Sequence, residues 1–117
     1  MNQELQKKRE HAEDTYRSNQ RQLENHLDEL SDEQRGFQRY LDSLGDKIQY
    51  TSQNYENPEQ DRQPMYHMLE EMQDNAQQIT KRAKFMLDEQ VEENQLAYTA
   101  QIRLYDEEQA DEEKNTC

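Results

Sequence analysis

Two glycines, two prolines, one cysteine and no tryptophan stand in a chain of 117 residues. Flexible linkers and low-complexity coils are rich in glycine and proline, so their scarcity argues against both. The lone Cys117 has no partner for an intramolecular disulfide, and a reducing cytoplasm is the expected setting. Val, Ile and Thr are scarce, which leaves strands little to build with. No apolar run exceeds three residues (Phe85-Met86-Leu87 is typical), so no segment reads as a bilayer span. Lys7, Lys8 and Arg9 are followed by no apolar stretch, so no secretory signal peptide is expected. Bases are also few: 14 Lys and Arg face 27 Asp and Glu, a net charge of -13. Nucleic acid and anionic membrane both require a basic face, and neither is an expected partner.

What remains is mostly Glu, Gln, Lys, Arg, Leu, Met and Ala, the good helix formers. The apolar residues are few but ordered. Tyr16, Leu23, Leu30, Phe37, Leu44 and Thr51 recur every seven residues. Gln20, Leu27, Gln34, Leu41, Ile48 and Tyr55 form a second set, offset by four. Together they make a coiled-coil seam over more than five heptads. Leu5 and Ala12 lie one position off this register, so the seam drifts near the N-terminus. Gly36 and Gly45 interrupt the helix at a cost of about 1 kcal/mol each. A kink near residues 31–36 competes with a continuous helix that tolerates them.

Both prolines fall in the middle, within Asn54 to Pro64. Asn57-Pro58-Glu59-Gln60 reads as a helix start, with Asn as N-cap and Pro at the first helical position. Pro64 would then sit inside the helix, so the second helix begins either with a kinked piece at Pro58 or cleanly near Pro64. Beyond the turn, Met65, Leu69, Met72, Ala76, Ile79, Ala83 and Met86 resume the alternation. Leu87, Val91, Tyr98, Ile102 and Tyr105 continue it one position over, which is a stutter.

These patterns predict an all-α fold: one domain, a long antiparallel two-helix hairpin, coiled-coil-like. The expected boundaries are helix one over about 3–54, a turn over about 55–63, helix two over about 64–110 and a frayed acidic tail to 117. The hairpin seam is assigned to Leu23, Leu27, Leu30, Leu41, Leu44, Ile48, Leu69, Met72, Ile79 and Ala83. Lys7, Lys8 and Arg9 are expected opposite the acids from Asp106 to Glu113. Gln34 is expected within a turn of Gln90, as a polar pair that is either register-setting or merely wet. A hairpin this thin is marginal alone and would be completed into a four-helix bundle by a partner or by dimerisation.

Little chemistry is legible. No nucleophile elbow, phosphate loop or zinc pattern occurs. His11, His26 and His67 stand apart from one another and from the cysteine at any ligand spacing. Catalytic carboxylates need a cleft that perturbs them, and a two-helix hairpin offers none. No catalytic residue, cofactor or metal is expected. What does stand out is a surplus of aromatic and methionine side chains. Phe37, Tyr40, Tyr66, Met68, Phe85, Met86, Glu89, Tyr98 and Tyr105 are the candidate partner-binding residues; Phe37, Met72 and Met86 also fill the seam. Met- and aromatic-rich faces suit adaptable contacts with a partner helix.

In length, acidity, lack of glycine and proline outside the turn, and hairpin layout, the whole chain resembles the small helical-hairpin proteins of bacterial type VII secretion. Within that WXG-like group it is most similar to the LXG-associated α-helical proteins. There is no Trp-x-Gly turn. Phe85 and Glu89 match the aromatic-then-acid spacing of the group's export motif, with Glu for Asp, far from the C-terminus; Tyr105 has Gln109 at that spacing and does not match. The resemblance implies an adaptor or targeting chaperone that binds the helical N-terminal domain of an LXG-type toxin, alongside a second small helical protein, in the cytoplasm, and is co-exported with its toxin. The competing reading is a self-associating coiled-coil protein with no secretion role, for which a homodimer is the simplest form.

Overall fold

The computed structural model describes residues 3–54 and 56–115. Tyr55, read as a seam position, and Cys117 lie outside the described residues. Two long helices, α1 (Gln3–Thr51) and α2 (Pro58–Asn115), are joined by a single 3₁₀ turn, Ser52–Asn54, and a short bend. The fold is an all-α helical hairpin, with no strand among the described residues.

Helix α1 runs unbroken through residues 31–36, so no helix restarts there. An added Cβ at Gly36 would meet nothing within 4 Å, and one at Gly45 would lie 4.0 Å from Leu69 Cδ1, an ordinary contact. Neither glycine is therefore needed for α2 to approach. The end of α1 is marked by hydroxyls that turn back on the helix. Thr51 Oγ1 donates to the Lys47 carbonyl at 2.8 Å, and Ser52 Oγ donates to the Ile48 carbonyl at 2.6 Å. Asn57 precedes proline, a position that disfavours helix.

Helix α2 begins at Pro58, not near Pro64. Pro58 occupies the first helical position, where a missing N–H costs nothing, and the Asp61 N–H donates to the Asn57 carbonyl at 3.0 Å. Pro64 lies inside the helix and is exposed, so its ring faces solvent and one backbone bond is forgone. At the other end α2 continues to Asn115, through the acidic run expected to fray.

The chain divides into two compact units, Met1–His26 with Met86–Cys117 and Leu27–Phe85. They are called here the terminal unit and the turn unit. In each, a stretch of α1 packs antiparallel on a stretch of α2. In the terminal unit Tyr16 faces Tyr98 and Gln20 faces Asn94. In the turn unit Gly45 faces Leu69 and Ser52 faces Arg62.

The inward positions of α1 are Leu5, Arg9, Ala12, Tyr16, Gln20, Leu23, Leu27, Leu30, Phe37, Leu41, Leu44 and Ile48, and Ser52 continues the line just past its end. Two successive steps of four, Ala12 to Tyr16 to Gln20, account for the drift at the N-terminus. On α2 the inward positions are Leu69, Met72, Ala76, Thr80, Ala83, Leu87, Val91, Asn94, Tyr98, Ile102, Tyr105 and Gln109. They advance by three, four and four, an eleven-residue repeat. Eleven residues in three turns lie close to the natural helical pitch, so no heptad underwinding is imposed. This corrects the heptad reading of α2. Ile79, assigned to the seam, is 67% exposed, and Met86, assigned as core filling, is 55% exposed. Thr80 and Leu87 turn inward in their place.

Candidate interaction surface

The terminal unit is tied across its helices by specific contacts. Tyr16 and Tyr98 stack with ring centroids 4.6 Å apart and planes 17° from parallel. One turn away, the half-buried Asn94 amide donates to Gln20 Oε1 at 3.2 Å and to the Tyr16 carbonyl at 3.3 Å. Asn19 Nδ2 donates back to Asn94 Oδ1 at 3.4 Å. Nearer the chain ends, the Arg9 guanidinium reaches Asp106 at 2.7 Å and Gln109 at 3.0 Å. The expected pairing of the basic N-terminus with the acidic end of α2 is thus made by Arg9.

In the turn unit the cross-helix polar contact sits at the turn. Ser52, 1% exposed, accepts from Arg62 Nε while donating to α1. Farther along, the seam is aliphatic, with Leu41 buried at 6% exposure and Leu30, Phe37, Leu44 and Ile48 half-buried. Facing Leu30 and Phe37 on α2 are the small side chains of Ala76 and Thr80. Small residues opposite Leu30 and Phe37 leave space, and a groove of about 520 Å³ results. Its floor is Leu30, Phe37, Leu41, Met72, Ala76 and Ile79. Its rim is amide-rich, with Gln34, Gln38, Gln73, Asn75 and Gln77, and Glu33 is its one charged group. Gln34 lines this groove with Thr80 and is exposed. It does not pair with Gln90, because the turn lies nearer residue 57 than residue 60 and shifts the register.

The candidate partner-binding residues fall in two groups. Phe37, Tyr98 and Tyr105 are half-buried in the hairpin's own seam. Tyr40, Tyr66, Met68, Phe85 and Met86 are exposed at 54%, 36%, 62%, 63% and 55%, and Glu89 is exposed as well. Tyr40 leans on Phe37 with centroids 6.2 Å apart. Tyr66 borders a shallower depression beside Gly45 and Leu69. Phe85 lies midway between the inward Ala83 and Leu87. Two residues are about 200° of helix, so Phe85 points away from the seam. Sequence reasoning missed Asn94, Thr80 and the Ser52–Arg62 pair, all polar side chains at inward positions.

Among the described residues, no helix is long and apolar enough to cross a membrane, and no cluster of three or more His, Cys, Asp or Glu is placed to hold a metal ion. No family model, curated protein or solved structure matches the chain.

Proposed function

We propose that the chain is a non-catalytic adaptor that packs helices of another protein against its outward apolar side chains. One observation carries this reading. Among the described residues only Leu5, Ala12 and Leu41 are buried apolar side chains, whereas ten large apolar ones are exposed. Covering a large apolar side chain is worth roughly 1.5–3 kcal/mol, so a partner that covers several gains substantially. A second helix can shield only one side of the first, which is why the hairpin alone leaves them open. The resemblance to LXG-associated α-helical proteins makes the helical N-terminal domain of an LXG-type toxin the first partner to test, bound in the cytoplasm before export.

The test is co-expression of the full chain with such a domain, read by light scattering after gel filtration and by thermal melting. A stable heteromer that melts above the chain alone is expected. The double variant Tyr40→Lys/Phe85→Lys is expected to lose the heteromer while keeping its helical circular dichroism, because both side chains are exposed. An LXG domain that leaves elution and melting unchanged sinks the toxin-adaptor reading. Loss of helicity in the variant would place these residues in the hairpin's own packing.

A further inference from the structure

Gly36 has no role in the hairpin's own packing. It stands inside α1, where glycine weakens a helix, and an added Cβ there would meet nothing within 4 Å. One turn along the same face, Tyr40 is 54% exposed. Glu33, Gly36, Phe37, Ser43, Leu44 and Lys47 all fall within about 60° of Tyr40 around the helix axis. Phe37 and Leu44 are half-buried, and the other four are exposed. Glu33 and Lys47 are the charged members, and no ion pair joins either to any described residue. The buried Leu41 marks the direction of α2 and lies about 100° around α1 from Tyr40, so α2 leaves this face open.

The face is complementary to itself by reversal. Glu33 and Lys47 each lie seven residues from Tyr40, on opposite sides, and the pairs Gly36 with Ser43 and Phe37 with Leu44 lie three or four from it. We propose that the Tyr40 face of α1 is a self-association surface. The α1 helix of a second copy lies antiparallel on it, about a two-fold axis at Tyr40. The two-fold sets Glu33 of each copy against Lys47 of the other, Phe37 against Leu44 and Gly36 against Ser43, each twice, as an isologous interface requires. A parallel copy would instead set Glu33 on Glu33 and Lys47 on Lys47. Helical side chains lean toward the helix N-terminus, so the two Tyr40 side chains lean apart. Each leans toward the level where Gly36 of its own copy meets Ser43 of the other, and the small residues there leave room for a ring. A shallow crossing of about 20° keeps Glu33 and Lys47, two turns from the axis, within reach of each other. With α2 at about a right angle around α1, the two hairpins make the square of a four-helix bundle. The chain's net charge of -13 opposes association at long range, but that repulsion is screened beyond about 8 Å at physiological salt. The dimer does not rest on the toxin-adaptor reading, and the chain alone tests it.

Sedimentation equilibrium of the full chain reads self-association, and circular dichroism reads the hairpin. Wild type is expected to dimerise. Gly36→Gln adds a side chain that meets nothing within the hairpin but stands between the two copies. It should associate at least about tenfold more weakly while keeping or gaining helicity, because Gln is the better helix former. Glu33→Lys sets lysine against lysine, and Lys47→Glu sets glutamate against glutamate; each should weaken the dimer at least about threefold. The double variant Glu33→Lys/Lys47→Glu again places opposite charges across the axis and should regain most of the wild-type association. A wild type that stays monomeric, a Gly36→Gln chain that associates as wild type does, or a double variant no stronger than either single one overturns the proposal.

Discussion

The two units of this hairpin are built from the same two helices but hold them together differently. The terminal unit uses contacts that fit only one register: a stacked tyrosine pair, an amide cluster around Asn94, and the Arg9 clasp on Asp106 and Gln109. The turn unit relies on leucines and one buried serine–arginine contact, and opposes Leu30 and Phe37 with small side chains that leave a groove. Aliphatic contact is strong but indifferent to register, whereas directional contacts are individually weak and discriminate. Openness is therefore concentrated in the turn unit, and the aligning contacts are concentrated near the chain ends, where they stand beside the buried Leu5 and Ala12.

The sharpest way to break this contrast is at Leu41, the one buried apolar side chain among the described residues of the turn unit. Leu41→Ala removes contacts and enlarges a groove that is already open, and should cost about 2–4 kcal/mol. Urea denaturation followed by circular dichroism measures it. A loss below about 1 kcal/mol would mean that the leucine seam does not carry the turn unit.

How far this division was legible depends on the helix. The α1 seam could be read because its inward positions are mostly Leu, Phe and Ile, so hydropathy and geometry agree. On α2 they part. Met65, Met72, Ile79 and Met86 are seven apart and satisfy a heptad, but the packed stripe advances by three, four and four through Thr80 and Leu87. A threonine inside and an isoleucine outside invert the hydropathy signal, and only the facing helix decides between the stripes. Pro64 misled in a similar way: an exposed proline removes one backbone bond, which a helix of 58 residues tolerates. The surplus of aromatic and Met side chains was readable from composition. Which of them face outward was not, because Tyr98 and Tyr105 differ from Phe85 and Met86 only in azimuth.

A smaller effect sharpens the comparison from the terminal side. Asn94→Ala removes the amide that joins Gln20, Asn19 and the Tyr16 carbonyl. A typical net hydrogen bond is worth about 0.5–1.5 kcal/mol, and neighbouring water can replace part of it at a half-buried site. The expected loss is about 1 kcal/mol by urea denaturation. A loss as large as that of Leu41→Ala would show that the terminal unit contributes as much to stability as the leucine seam, and would collapse the contrast.

The smallest effect belongs to Arg9. Its guanidinium side chain is 26% exposed and Asp106 is 63% exposed, so the pair is largely solvated on one side. Exposed ion pairs contribute about 0–1 kcal/mol, and the second bond to Gln109 adds direction more than energy. Arg9→Gln keeps a side chain that can still hydrogen-bond but removes the charge. It should lower stability by less than about 1 kcal/mol at low salt, and the difference from wild type should shrink further at 1 M salt, where the Debye length is about 3 Å. Melting curves at the two salt concentrations measure this. A loss that is large, or that persists undiminished at high salt, would mean that Arg9 acts by packing its aliphatic stem between the helix ends rather than by its charge. The clasp would then belong with the stabilising contacts of the turn unit rather than with the aligning contacts of its own.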